Sequence, residues 1–490
     1  MVIETLNFLV MTSLTPLIGI FFLFLVPSSN ELLCRKLSLW ISCLTLLFSL
    51  LLWIQFDAGT SFFQFNSTFF WFPYLNFYYS IGLDGISLFF ILLTTFLVTI
   101  CILISWSSVR LNLKDYLVCF LILEFLLIQV FCVLDIFLFY IYFESVLIPM
   151  FLIVGVWGSR ERKIRAAYQF FLYTLVGSLL MLLAILVVYF QIGSTDLYIL
   201  RYSKFSELKQ IVLWISFFAS FAVKIPMIPF HIWLPEAHAE APTAGSVILA
   251  GILLKMGGYG FLRFSLPMFP WASIFFTPLI FTLSLIAIVY ASLTTLRQID
   301  LKKIIAYSSI SHMGFVTIGI FSLNIQGLEG SILLMLSHGI ISSALFLSVG
   351  ILYDRYSTRL IKYYTGLVQV MPIFSAFFLF FTFSNIGFPG TSSFIGEILV
   401  ILGSFQVSMV LTFFSCVGMI IGAAYSIWLF NRINFGSLKL NYINLYQDIS
   451  RREFFMLLPL IVLVIWIGVY PSSFLNDMHC SSLSLLESLR

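Results

Sequence analysis

Long apolar runs follow one another along almost the whole chain and are separated by short polar segments. About fourteen of these runs reach roughly 18 residues, which is enough for a helix to cross a bilayer. They lie at 6–26, 37–56, 86–108, 116–134, 136–156, 166–190, 211–232, 243–264, 274–295, 303–322, 328–350, 372–402, 404–430 and 455–475. The pattern predicts an all-α polytopic membrane protein with about 14 transmembrane helices. The aromatic stretch 62–79 between the second and third runs is predicted to be an interfacial loop.

Two runs in the middle of the chain each contain one lysine. The stretch 222–260 reads AVKIPMIPFHIWLPEAHAEAPTAGSVILAGILLKMGGYG, which predicts two helices joined by a polar turn at 237–242. A rise of about 1.5 Å per residue places Lys224 and Lys255 roughly 20 Å from that turn, well inside a bilayer. A lysine at this depth costs about 2.5–3.5 kcal/mol on insertion scales. Two lysines at matched depth therefore indicate a function or a buried partner.

Two runs are interrupted close to a charged residue. Pro226 and Pro229 follow Lys224 in span seven, and the segment SNIGFPGTSS precedes Glu397 in span twelve. The interrupted spans, seven and twelve, are five spans apart. Because successive spans cross the membrane in opposite directions, this odd offset would give the two repeats that contain them opposite orientations. Broken helices at corresponding positions of inverted repeats are typical of transporter binding sites. We therefore predict two inverted five-helix repeats with broken helices 7 and 12.

The predicted repeats divide the chain into four parts. The first three helices occupy 1–115, and the first repeat, helices 4–8, occupies 116–265. The second repeat, helices 9–13, occupies 266–432, and helix 14 and the tail occupy 433–490.

Composition and charge support a membrane protein. The chain is 61% apolar, only 9% charged and has a mean hydropathy of +1.08, whereas soluble proteins carry about 25% charged residues. Eighteen of its 25 Lys and Arg residues fall in the odd-numbered loops. The even-numbered loops and the C-terminus hold only five, Arg263 among them. The positive-inside rule then places the odd-numbered loops on the cytoplasmic or matrix face. We call this side the odd-loop face.

Acidic residues in neighbouring spans give the two lysines candidate partners. Glu144 lies near the middle of span five, and Glu397 follows the break in span twelve. Burial raises the pKa of a carboxyl group and lowers that of a lysine, whereas a close pair resists both shifts. Such groups can load and release protons when their spacing changes. His312 and His338, inside spans ten and eleven, could relay protons between them.

Four further ionisable residues are candidate accessory groups: His231, His238, Glu124 and Asp135. Each site residue also has a structural interpretation. The lysines and glutamates could form static ion pairs, and the histidines could be hydrogen-bonded core residues. Asp135 stands at the start of a span, where helix capping explains an aspartate well.

Motifs for other chemistry do not occur. The sequence contains no GxGxxG after a strand, no GxxxxGK[ST], no HExxH and no Cys-rich cluster, and its seven cysteines are scattered. We predict no catalytic, cofactor-binding or metal-binding residues in this chain. Energy for transport would come from an ion gradient or a partner.

Several long segments resemble a known family. KIPMIPFHIWLPEAHAEAPTAGSVILAGILLKMGGYG, LRQIDLKKIIAYSSISHMGF, LLMLSHGIISSALFLSVG and FPGTSSFIGE are similar to the antiporter-like membrane subunits of respiratory complex I, NADH:ubiquinone oxidoreductase. The resemblance covers nearly the whole chain. It implies that Glu144 pairs with Lys224, that Lys255 connects the two halves and that Glu397 is the terminal group. The two helix histidines would lie on a central polar axis.

The resemblance also implies the setting. Electron transfer from NADH to ubiquinone would occur in other subunits, which hold NADH, FMN, iron–sulfur clusters and ubiquinone, while this chain binds no cofactor. Partners would be other membrane-arm subunits, among them antiporter-like subunits 2 and 5, accessory subunits and lipids, but not nucleic acid. The location would be the mitochondrial inner membrane, and the 56 phenylalanines favour an organelle-encoded chain.

Two other functions use the same residues. The chain could belong to a multisubunit cation/proton antiporter driven by a gradient, or it could be a membrane scaffold whose ion pairs only fix helix packing. Association with an NADH-oxidising assembly separates the first alternative from complex I. Neutral replacement of both members of an ion pair tests the second.

Overall fold

The computed structural model describes residues 7–72, 77–439 and 446–489. Twelve helices in this part of the chain are long and apolar enough to cross a membrane. Two shorter apolar helices, Pro372–Ile386 and Ser392–Val407, flank the predicted break in span twelve. The helical, polytopic membrane fold is thus confirmed, whereas the count of 14 and the inverted repeats stay predictions.

The N-terminal part contains eight helices and a hairpin. In chain order these are α1 (Phe8–Leu25), α2 (Glu31–Gln55), β1 (Gln64–Phe72), β2 (Phe77–Leu83), α3 (Gly85–Ser108), α4 (Leu113–Cys132), α5 (Ile136–Ser145), α6 (Leu147–Trp157), α7 (Lys163–Ile192) and α8 (Leu197–Tyr202).

The stretch 62–79 forms an antiparallel hairpin in place of the predicted loop, with Gln64 opposite Leu83 and Phe69 opposite Tyr79. Its aromatic residues and threonine favour extended backbone, a preference that the loop prediction overlooked. Residues 73–76 lie outside the described residues.

The central part carries both lysines. It consists of α9 (Glu207–Lys224), α10 (Trp233–Glu240), α11 (Thr243–Ile248), a π-helical turn (Leu249–Leu253), α12 (Leu254–Gly260), a second π-helical turn (Phe261–Ser265), α13 (Leu266–Met268) and α14 (Pro270–Phe275). The helix ends at Lys224 because Pro226 and Pro229 cannot continue its hydrogen bonding. The depth estimate for Lys224 assumed a continuous helix to the turn, and the end of α9 at Lys224 contradicts that assumption. The turn is also shorter than predicted, because α10 continues to Glu240.

The C-terminal part is again helical. It comprises α15 (Thr277–Arg297), α16 (Leu301–Phe321), α17 (Ile325–Tyr356), a short 3₁₀ turn (Ile361–Tyr363), α18 (Leu367–Val370), α19 (Pro372–Ile386), α20 (Ser392–Val407), α21 (Met409–Asn434), α22 (Arg451–Val469) and α23 (Ser472–Glu487). The interruption between α19 and α20 coincides with the FPG sequence, where Gly387 and Gly390 adopt positive φ angles of 82° and 90°.

The chain forms two compact units. The first contains Met1–Ile225, Ile252–Phe276 and Asn476–Arg490, and the second contains Pro226–Gly251 and Thr277–Leu475. Within the first unit α9 packs against α7 and α12, and within the second α17 packs against α16 and α20. The predicted division at residues 115, 265 and 432 stays a prediction.

Candidate functional site

Lys224 lies on an aromatic ring inside the first unit. It is the last residue of α9 and is only 2% exposed. Its ammonium nitrogen lies 4.4 Å from the centre of the Phe143 ring and donates to the Phe143 carbonyl oxygen at 3.4 Å. The ring face and the carbonyl both favour a cation, so the protein stabilises charge here despite burial.

Glu144 follows Phe143 and is thereby held near Lys224. It stands in the last turn of α5, just before Pro149 interrupts the helical hydrogen bonding of this span. Both carboxylate oxygens are enclosed, and among the described residues neither accepts a hydrogen bond of normal geometry. The Ser178 hydroxyl and the Lys224 charge are close enough to act on the carboxylate. Glu144 is thus close to its predicted partner without a fixed bond to it.

Lys255 is fully buried in α12, between the two π-helical turns. A methyl group added at Gly257 would lie 2.6 Å from Ile225 Cγ1, and one at Gly260 would lie 2.4 Å from the Phe221 ring. These glycines therefore let α12 approach the end of α9 closely. The packing places the helix of Lys255 alongside the helix of Lys224.

Two accessory acids have different surroundings. Glu124 in α4 is fully buried and accepts a 2.5 Å hydrogen bond from the Thr45 hydroxyl of α2. Its second oxygen has no hydrogen-bond partner among the described residues. Asp135 accepts hydrogen bonds from the backbone N–H groups of Phe137 and Leu138 at 2.8 and 3.1 Å, so it caps α5.

A second cluster lies inside the second unit. His312 Nδ1 of α16 lies 3.5 Å from Glu397 Oε1 of α20. The His338 ring of α17 has its centre 5.6 Å from that of His312. In the described part of the chain, His312 Nε2 and Glu397 Oε2 have no hydrogen-bond partner. Three predicted residues therefore come together here, and two of them retain free polar atoms.

The break between α19 and α20 fits closely around Glu397. A methyl group at Gly387 would lie 2.4 Å from Glu397 Oε2. The Ser393 hydroxyl reaches back to the Ser384 carbonyl oxygen, so the break is itself hydrogen-bonded. The interruption is an ordered feature that supports the carboxylate.

The two other accessory histidines are in aromatic surroundings. His238 in α10 stacks on Phe346 with ring centres 4.7 Å apart. His231, in the segment between α9 and α10, lies 6.1 Å from the Tyr290 ring and 6.5 Å from the Tyr307 ring. Neither of these ring contacts involves the His312–Glu397 pair.

Sequence reasoning missed two buried ionic groups. Arg263, assigned to a loop, lies inside the helical span Thr243–Met268 and contacts Asp84 at 2.6 Å. Arg359, also assigned to a loop, contacts Glu240 at 2.7 Å and Asp300 at 2.8 Å. These residues stand near span ends, where a count of Lys and Arg in the loops uses them only to decide which side of the membrane a loop is on. Only their partners, more than 50 residues away, show that they are structural.

Among the described residues, no group of three or more His, Cys, Asp or Glu side chains could hold a metal ion.

Comparisons with known proteins show which family the chain resembles. A family model described as "NADH:quinone oxidoreductase/Mrp antiporter, TM" matches residues 134–422. The NADH-ubiquinone oxidoreductase chain 4 of Chondrus crispus is 78% identical over 98% of both chains, and that of Marchantia polymorpha is 62% identical over 97% of this chain and 96% of the relative. A chain in the structure of respiratory complex I from Thermus thermophilus superposes with a TM-score of 0.89 at 30% identity, covering 98% of this chain and 100% of that chain.

Proposed function

This chain belongs to the chain 4 family of NADH-ubiquinone oxidoreductase, within the wider NADH:quinone oxidoreductase and Mrp antiporter family, and we propose which of its buried residues move protons. As a member, it is a core membrane subunit of respiratory complex I, whose NADH-to-ubiquinone electron transfer is coupled to proton translocation. The pathway that we propose uses Glu144, Lys224, Lys255 and Glu397, with His312 and His338.

The observation that carries the proposal is the surroundings of Lys224. This ammonium group is buried on Phe143 and adjacent to Glu144, whose oxygens have no fixed hydrogen bonds in the described part of the chain. A pair that served only to lock two helices would gain from tight, bidentate contacts. Loose pairing of a buried acid and base suits a contact that opens and closes.

The proposed transfer in the first unit depends on that spacing. While Glu144 is near, its negative charge keeps Lys224 protonated. When the two groups separate, burial disfavours the ammonium ion, and Lys224 releases a proton. Close packing of α9 against α12 makes Lys255 the next basic group along the interior. Lys224 therefore passes its proton towards Lys255.

The second unit supplies the terminal step. Glu397 faces His312, so a proton can pass from the imidazole to the carboxylate over one short contact. The free Oε2 atom beside Gly387 is the position from which the proton leaves, towards the face opposite the odd-numbered loops. His338, next to His312, completes the histidine relay.

The remaining assignments concern the assembly. We place the chain in the mitochondrial inner membrane, as an organelle-encoded subunit with the odd-loop face towards the matrix. Its neighbours would be antiporter-like subunits 2 and 5, accessory subunits and lipids. NADH, FMN, iron–sulfur clusters and ubiquinone would be bound by other subunits.

Replacement of Lys224 tests the pathway directly. Lys224→Ala in the assembled complex should lower protons pumped per quinone reduced, and slow the proton transfer by roughly 10²-fold, as expected when a general acid–base group is lost. The measurement is dye-reported acidification by sealed vesicles during NADH oxidation. Lys209→Ala is the matched control, because Lys209 lies on the same helix but donates to the Gln191 side chain at 3.2 Å at an exposed site.

Two outcomes would contradict the proposal. Unchanged pumping by assembled Lys224→Ala would remove this lysine from the pathway. If the chain were instead isolated with an assembly that exchanges sodium for protons without oxidising NADH, the antiporter alternative would replace it.

A further inference from the structure

A small cavity lies inside the second unit, away from the residues used above. Its polar lining consists of Ser308, Thr382, Asn385, Tyr425 and Ser426, and the rest of its wall is apolar. The volume of about 10 Å³ holds roughly one water molecule. Five polar side chains around one such cavity, in a helix bundle that lies in lipid, call for a chemical explanation.

Tyr425 connects this cavity to the second cluster. The residue is 3% exposed and lies on α21. Its hydroxyl is close to the Ser311, Asn385 and Ser308 side chains, the last two of which line the cavity with it. The Glu397 carboxylate is near enough for its charge to act on the same hydroxyl. Tyr425 thus stands between the cavity and the acid that ends the proposed pathway.

The serine hydroxyls are oriented to accept. Ser308 donates its proton to the Ile305 carbonyl oxygen at 2.8 Å, and Ser311 donates to the Ser308 carbonyl oxygen at 2.7 Å. Their lone pairs therefore remain available to the tyrosine hydroxyl or to a water in the cavity. The Tyr425 hydroxyl, which can both donate and accept, is the group able to pass a proton on.

The cavity lies between the membrane centre and the odd-loop face. Ser308 is one turn before His312, towards the start of α16 at Leu301. Leu429, also in the wall, is one turn after Tyr425, towards Arg432. The exit that we propose for Glu397 leads to the opposite face. The cavity is therefore on the side from which a proton would be taken up.

We propose that Tyr425 is a proton-relay residue and that, with Ser308, Ser311 and Asn385, it forms an inlet from the odd-loop face to the Glu397–His312 pair. The inference deepens the proposed function and rests on it. The Tyr425 O–H bond breaks as its proton passes, through one intervening water, to the Glu397 carboxylate, where a new O–H bond forms. At the same time the phenol oxygen takes a proton from a protonated cavity water. Tyr425 is left neutral, and one positive charge has moved from the cavity to the pair.

Two variants test the inlet in the intact complex. Tyr425→Phe keeps the ring and removes the hydroxyl, and Ser308→Ala removes one acceptor with little change in volume. Each should slow proton uptake from the odd-loop face by about tenfold, as the loss of a buried hydrogen bond predicts. The solvent deuterium isotope effect on uptake should rise, because proton transfer becomes limiting. Stopped-flow measurement with a pH dye on that face reports both quantities.

Tyr364→Phe is the matched control. Tyr364 is a fully buried tyrosine of the same unit, and its hydroxyl donates to the Thr358 carbonyl oxygen at 2.7 Å, away from the cavity. Tyr364→Phe should lose a hydrogen bond of similar strength yet keep the wild-type solvent isotope effect on proton uptake.

The outcomes separate this inference from the pathway itself. Normal uptake and isotope effect in assembled Tyr425→Phe and Ser308→Ala, with pumping lost in Lys224→Ala, would overturn the inlet alone. Normal pumping in all three variants would overturn the pathway as well. If Tyr425→Phe did not assemble, Ser308→Ala would still decide the question.

Discussion

Individual buried charges in this chain are held in two different ways. Asp84 contacts Arg263 at 2.6 Å and accepts from the Ser87 N–H at 3.0 Å, so its carboxylate is fixed. Burial would raise the pKa of Asp84, but the Arg263 charge and these hydrogen bonds hold it below its usual value. Glu144 and Glu397 retain oxygens without hydrogen-bond partners in the described part of the chain. Fixed acids stabilise the fold, and loosely held acids are available to exchange protons.

The titration of one buried acid, Asp135, can be tested through the pH dependence of stability. Burial raises its pKa to about 6, although the Thr195 hydroxyl and the backbone N–H groups of Leu138 and Phe137 oppose the shift. The pKa of an aspartate in the unfolded chain is about 3.9. Between about pH 3.9 and pH 6, the folded chain therefore binds more protons than the unfolded chain does. Stability should therefore fall as pH rises through about 6, by on the order of 1 kcal/mol from pH 5 to pH 7.

The measurement is the thermal midpoint of the purified complex at pH 5 and pH 7, compared with Asp135→Asn. Asparagine still caps a helix but cannot ionise, so the variant should lose this part of the pH dependence. An identical pH dependence in both proteins would show that Asp135 does not titrate in this range.

Single helices are shaped by interruptions as much as by their apolar faces. In the segment between α19 and α20, two glycines adopt positive φ angles, but only Gly387 also touches the Glu397 side chain. The break therefore has two separable roles, which are backbone reversal and support of a carboxylate.

Paired alanine substitutions separate these roles. Gly387→Ala should place a methyl group against Glu397 Oε2 and displace the carboxylate from His312, which lowers pumping per NADH oxidised. Gly390→Ala imposes similar backbone strain, about 1 kcal/mol, but its methyl group would meet no atom within 4 Å. We expect the second variant to be slightly less stable and to pump normally, as judged by thermal midpoint and vesicle acidification. Equal pumping by both variants would refute the supporting role of Gly387.

The same elements show how far the sequence predicts the structure. Prolines and the FPG sequence marked both breaks, because these residues act on their own backbone. The π-helical turns around Lys255 have no comparable signature, since their i to i+5 bonds require no particular residue. Tyr425 and the serines of the cavity were also missed. They stand within apolar runs, and their grouping depends on helices more than 100 residues apart.

At the scale of the whole chain, most basic residues fall in the predicted odd-numbered loops. The exposed basic residues of the odd-numbered loops include Arg162, which immediately precedes α7, whereas Lys204 stands in an even-numbered loop. The burial of Arg263 and Arg359 removes two residues from the topological count without changing its direction.

Sided labelling tests this arrangement. A membrane-impermeant maleimide should react with Arg162→Cys from the odd-loop face only, and with Lys204→Cys from the opposite face only. Labelling is read by mass shift in sealed vesicles of each orientation, with the parent protein as the control for its seven native cysteines. Reaction of both positions from the same side would require a different number of crossings between them.

The helices also differ in how much of their surface remains open. The span Thr243–Met268 and residues Gly327–Leu352 of α17 are entirely buried, whereas about a third of α1, α2 and α21 is buried. Helices with an open face can exchange one large apolar side chain for another as the base composition of a genome drifts. The two enclosed spans have no face on which such exchanges are neutral. Their sequences should therefore change most slowly in a lineage, whatever mutational bias its genome carries.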